Sequence, residues 1–150
     1  MRIFLVSLCA LAAALWAGCG NSQGNSSAPL LREHGSPHGG TAIALGDNFK
    51  IEWVLDAAVG KLQAYVLDDD MENFVRITPP SFDVTAKLPD RTEVLHFVAI
   101  ANTATGETVG SSSQFEAQAD WLKTTKTFAA VLREINVKET IFTNVAFNFP

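Results

Sequence analysis

His34 and His38 are the residues best placed by type and spacing to do chemistry. They stand four positions apart in the run His34-Gly35-Ser36-Pro37-His38-Gly39-Gly40. Imidazole is a good ligand for zinc and copper. On a helix this spacing would put both rings on one face, but Gly35 and Pro37 forbid a stable helix there. A loop could still wrap a zinc or copper ion at a cost in chain entropy. Glu33 and the acidic residues near Asp68 could complete its shell if the fold brings them close. The plainer reading is a polar, turn-forming linker whose histidines bind nothing.

Other polar groups point to structure rather than reaction. The run Asp68-Asp69-Asp70-Met71-Glu72-Asn73 offers oxygen ligands, but it lacks the sixth-position glycine and distal helical glutamate of an EF-hand loop. A solvated acidic turn is expected. His96 sits between Val94 and Val98, where a lone imidazole is expected to be hydrogen-bonded or to face an edge. Trp53 and Trp121 read as core anchors. There is no Gly-x-Ser-x-Gly elbow, and no phosphate-cradling glycine loop opens a helix. His96 is the only histidine after residue 40 to serve as a base, and carboxylates on an acidic surface prove nothing by their presence. A non-catalytic protein is expected, with a hydrolase as the remote alternative.

The elements that must position these residues follow a period of two. Residues 41–45 form a short candidate strand, and Gly46-Asp47-Asn48 a tight turn. Phe49, Ile51, Trp53 and Leu55 then face one way, and Lys50, Glu52 and Asp56 the other. A loop over 57–60 leads into Leu62, Ala64 and Val66, which completes a hairpin. A short strand is expected over 74–77 before Pro79-Pro80 breaks pairing. Phe82, Val84, Ala86 and Leu88 alternate cleanly up to a turn at Pro89-Asp90. Residues 94–101 are apolar on both parities, which predicts a central strand covered on both faces. A short helix is predicted within 115–123, and strands over 127–135 and 140–149. In the last strand Ile141, Thr143, Val145, Phe147 and Phe149 are expected on one face. About eight strands at this spacing predict an antiparallel β-sandwich or barrel.

Composition bounds the rest. One domain is expected from 150 residues. A net charge of −5 with no basic patch argues against nucleic acid. Arg2 followed by the apolar run 3–16 has the order of a secretory signal peptide. That run falls short of the roughly 20 apolar residues that span a bilayer. Ala17 and Gly18 precede Cys19, and the segment resembles a bacterial lipoprotein signal, with Trp16 where an aliphatic residue is usual. The resemblance implies a signal peptide over 1–18, lipidation of Cys19 and anchorage in the lipid bilayer. Gly20, rather than Asp, implies the outer membrane, facing the periplasm. An ordinary signal peptide cut near Gly18 or Ala28 is the alternative. Residues 19–40, rich in Gly, Ser and Asn, are expected to be a flexible linker, and 41–150 a β-sandwich domain. Cys9 and Cys19 are the chain's two cysteines. The domain therefore has no disulfide, thiolate metal site or catalytic thiol.

His38-Gly39-Gly40, the stretch Gly46-Asp47-Asn48-Phe49-Lys50-Ile51-Glu52, Asp56 and Tyr65-Val66-Leu67-Asp68-Asp69 carry a further likeness. Together they resemble a small β domain near the N-terminus of periplasmic adaptor subunits of heavy-metal efflux systems. The resemblance covers roughly residues 37–88 and implies an immunoglobulin-like sandwich and a link to metal traffic. The hairpin and barrel domains of an adaptor are missing, so the chain is expected to be something else built from that module. The expected function is a membrane-tethered, non-catalytic interaction or structural module with an envelope protein as partner. The alternative is an accessory metal-binding lipoprotein.

Overall fold

Alternation of apolar and polar residues becomes eight antiparallel strands. The structure, a computed structural model, describes residues 35–150. The strands are β1 (Thr41–Leu45), β2 (Phe49–Asp56), β3 (Lys61–Asp68), β4 (Ser81–Lys87), β5 (Thr92–Ala99), β6 (Gln114–Gln118), β7 (Phe128–Val137) and β8 (Thr140–Phe149). The signal peptide expected over 1–18, Cys19, His34 and most of the expected linker lie outside the described residues. Among the described residues no helix is long and apolar enough to cross a membrane.

All eight strands hydrogen-bond in one series, β1-β2-β3-β6-β5-β4-β7-β8. Four hairpins, β1–β2, β2–β3, β4–β5 and β7–β8, are local. β6 inserts between β3 and β5, and β7 returns to lie beside β4. The order β7-β4-β5-β6 is thus a Greek key. Twist curls the sheet until its edge strands, β1 and β8, approach without forming a ladder, so that it is nearly barrel-shaped.

One core fills the interior. Trp53 is wholly buried, stacks on Phe147 of β8 with centroids 5.0 Å apart, and meets Phe97 edge-on at 5.2 Å. Phe82 stacks on Phe97 at 5.1 Å and packs against Phe115. The indole N–H of Trp53 has no acceptor among the described residues, so ring packing alone places it. Each large apolar side chain buried in this way contributes about 1.5–3 kcal/mol.

Several expectations change. The helix expected within 115–123 is β6 followed by one 3₁₀ turn, Asp120–Lys123, which buries Leu122 on the way to β7. The strand expected over 74–77 is reduced to two isolated bridges, Leu67↔Phe74 and Ile77↔Ser112. β5 is central in the series but covered on one face only. Leu95, Phe97 and Ala99 are buried, while Val94 and Val98 are exposed because no layer packs outside them. In β8, Val145, Phe147 and Phe149 face inward as expected, but Ile141 is exposed and Phe142 turns inward instead. β7 changes faces at the same level, from Leu132 to Ile135. The switch falls between the Leu132↔Val145 and Glu134↔Thr143 pairs, where Asn144 adopts φ +53°. Asn tolerates that conformation, and the hairpin turns a corner there.

Candidate functional site

Glu52 organises the outer face of the sheet. It lies opposite Tyr65 on β3, and Tyr65 lies opposite Gln114 on β6. The three side chains form a row on the side away from the core. Residues 35–40 cross over this row as a strap. The backbone N–H groups of His38 and Gly40 both donate to Oε1 of Glu52, each at 2.8 Å. His38 Nδ1 lies 2.9 Å from Oε2. A carboxylate oxygen accepts, so Nδ1 carries a proton, and in the neutral ring that leaves Nε2 as an acceptor. These three bonds satisfy a carboxylate that is 0% exposed.

The glycines after His38 have separate reasons. Gly39 adopts φ +71° and closes a turn by donating its N–H to the Ser36 carbonyl. Gly40 lies so close to β2 that an added Cβ would strike the Trp53 carbonyl and sit 2.8 Å from Val54 Cγ2. The end of the segment expected to be linker is therefore fastened to the sheet.

The His38 ring stacks on Tyr65 with centroids 3.8 Å apart and an interplanar angle of 15°. Phe74, from the connection over 69–80, completes an aromatic wall at 5.7 Å from His38 and 6.2 Å from Tyr65. Burial pushes the Tyr65 hydroxyl above its usual pKa. The charges of Glu52 and Glu116 push the same way, against Lys61. Gln114 Nε2 donates weakly to that hydroxyl, at 3.4 Å.

The opposite wall comes from residues 102–113, a loop folded on itself by the Asn102↔Glu107 and Thr108↔Ser111 bridges. Glu107 is buried. Ser113 donates to its Oε1 from Oγ at 2.6 Å and from the backbone at 2.8 Å, and Thr105 Oγ1 donates to Oε2 at 2.8 Å. Arg76 Nε lies 3.9 Å from Oε1. Burial alone would raise the Glu107 pKa. The Ser113 and Thr105 hydrogen bonds, with the Arg76 charge, outweigh it and hold the carboxyl below its ordinary value. Between the two walls is an open notch of about 320 Å³.

The other expected residues are structural. Asp68 accepts from the backbone of Glu72 and Asn73 and from Asn73 Nδ2, and so caps the acidic turn. Its pKa is lowered. Desolvation opposes that shift, but the bonds from Asn73, Glu72 and Met71 overcome it. His96 is exposed and pairs with Asp83, its cross-strand neighbour, at 2.7 Å. Trp121 is half-buried against Phe128. Of the two histidines expected as zinc or copper ligands, only His38 is among the described residues. Among those residues no three His, Cys, Asp or Glu side chains gather as a metal site.

Reasoning from sequence placed Glu52 on the face opposite the core but gave no sign that it is buried there. Tyr65, Phe74, Arg76, Asn102, Glu107 and Gln114 carried no signal as a group. The usable signal was the glycine pair after His38, because two adjacent glycines mark a close approach of backbone to something else. No protein-family model matches the chain, and no match is found among curated proteins or solved structures. Nothing in those comparisons connects it to efflux adaptors.

Proposed function

We propose that the chain is a membrane-tethered, non-catalytic interaction or structural module of the cell envelope. It is held in the bilayer through an acylated Cys19, at the outer membrane facing the periplasm, and presents its sheet to another envelope protein. The apolar run ending in Ala17-Gly18-Cys19 supports the anchor. One observation carries the non-catalytic part: Glu52, the most deeply buried carboxylate, spends both oxygens fastening the strap. Glu107 and Asp68 are likewise occupied with their own loops. An immunoglobulin-like sandwich is the finer reading of the fold. The Greek-key order supports it, while the unbroken hydrogen-bonded series favours a barrel-like variant.

Intact-mass analysis of protein from its native host tests the anchor. The expected product begins at a diacylated or triacylated Cys19, and an unmodified secreted polypeptide overturns the reading. Crosslinking in intact envelopes should capture a reproducible protein partner, and repeated failure to do so counts against the module.

A second reading, accessory metal binding, is favoured by the way Glu52 fixes the His38 ring. A carboxylate on Nδ1 orients an imidazole and strengthens Nε2 as a ligand. Titration with zinc or copper is expected to show binding that is lost in a His34→Ala, His38→Ala double variant. Unchanged affinity in that variant removes the assigned ligands.

A further inference from the structure

The notch offers one combination of surfaces not yet given a use. One of its walls is aromatic, and Phe74 in that wall leaves 50% of its surface exposed. A half-covered ring is poised to gain from an apolar face laid against it. The charges nearby are already matched. Arg76 faces Glu107, which is held further by Ser113 and Thr105, and Arg76 also donates to the Thr105 carbonyl. An anion would meet Glu107, and a cation would meet Arg76.

What remains open is neutral. His38 Nε2, Asn102 Nδ2 and Gln114 Oε1 have no partner among the described residues, although each residue is fixed through its other polar atom. All three residues line the notch with the aromatic wall, and they offer both donor and acceptor atoms. The volume, about 320 Å³, lies at the small end of the roughly 300–1,000 Å³ typical of ligand sites.

A pyranose ring matches this pattern. It has an apolar C–H face, a rim of hydroxyls that both donate and accept, and no net charge. We propose that the notch beside His38 binds a neutral saccharide, with one sugar ring laid against Phe74 and its hydroxyls bonded to His38, Asn102 and Gln114. This goes beyond the module reading and rests on the notch alone, so loss of the Cys19 anchor would leave it standing.

The test is an NMR titration of the full chain in detergent micelles. Cellobiose and N,N′-diacetylchitobiose are the probes, and triglycine and acetate the controls. At least one disaccharide is expected to give saturable shifts at His38, Phe74, Asn102 and Gln114. Phe74→Ala should weaken binding about tenfold, the worth of one stacked ring. Its thermal midpoint should fall by only a few degrees, because half of the ring is already exposed. Phe74→Trp should retain binding, which separates loss of the platform from loss of the fold. The proposal is overturned if neither sugar shifts the notch, if triglycine or acetate does so instead, or if Phe74→Ala binds as well as the parent.

Discussion

Tyr65 is the chain's single tyrosine, so the ultraviolet absorbance of phenolate follows this hydroxyl alone. Burial, then the charges of Glu52 and Glu116, raise its pKa. The titration midpoint is therefore expected above 10.0, the ordinary value. The sign follows for stability. A raised folded-state pKa means the contribution is intact below the unfolded value and is lost as pH climbs through the folded one. Tyr65→Phe should remove that alkaline loss. Glu107 behaves oppositely. Its carboxyl is depressed, so it stabilises above the ordinary carboxylate range, and the contribution disappears as pH falls through the folded value. Glu107→Gln is expected to cost about 2 kcal/mol near neutrality and to flatten the acid side of a denaturation-versus-pH curve. A parallel curve of unchanged slope would refute this account of the loop. Neither residue stood out in the sequence, because, Thr105 apart, their hydrogen-bond partners are 6 to 49 positions away and no local pattern announces a cross-strand neighbour.

The strap over residues 35–40 shows how an element can be half legible. Its glycines marked it as irregular, which it is. Composition gave no hint that it docks, because docking depends on one carboxylate 14 residues downstream. Gly40→Ala forces a Cβ into the Trp53 carbonyl and should cost on the order of 2 kcal/mol. The sharper readout is local. In Glu52→Ala the amide protons of His38 and Gly40 are expected to exchange with solvent much faster than in the parent. Retained protection would mean that something other than Glu52 secures the strap. Strand existence was legible wherever alternation was clean, as in β2, β3 and β4. It failed where tertiary context decided. β5 is apolar on both parities but has nothing outside it. β8 switches faces at Asn144, and a corner of that kind is set by pairing with β7 rather than by its own residues. Residues 115–123 mixed two periods because a strand and a single 3₁₀ turn share them.

For the molecule as a whole, the described domain relies on apolar packing, since its sequence holds no cysteine. Phe147 reaches from β8 to Trp53 on β2 and so links strands six places apart in the series. Phe147→Ala is expected to cost about 3–5 kcal/mol, measured by denaturant unfolding. A loss below 1 kcal/mol would mean that the two sides of the sheet hold together without that stack. The insertion of β6 between β3 and β5 also bears on how quickly the native state is reached. The four local hairpins can zip from neighbouring residues within microseconds. The β3–β6 and β4–β7 seams must wait for distant segments to meet, and the β5–β6 seam carries only two residue pairs. Refolding should therefore run on the millisecond-to-second scale of nonlocal β topologies, with the hairpins formed early and the seams last to close and first to open.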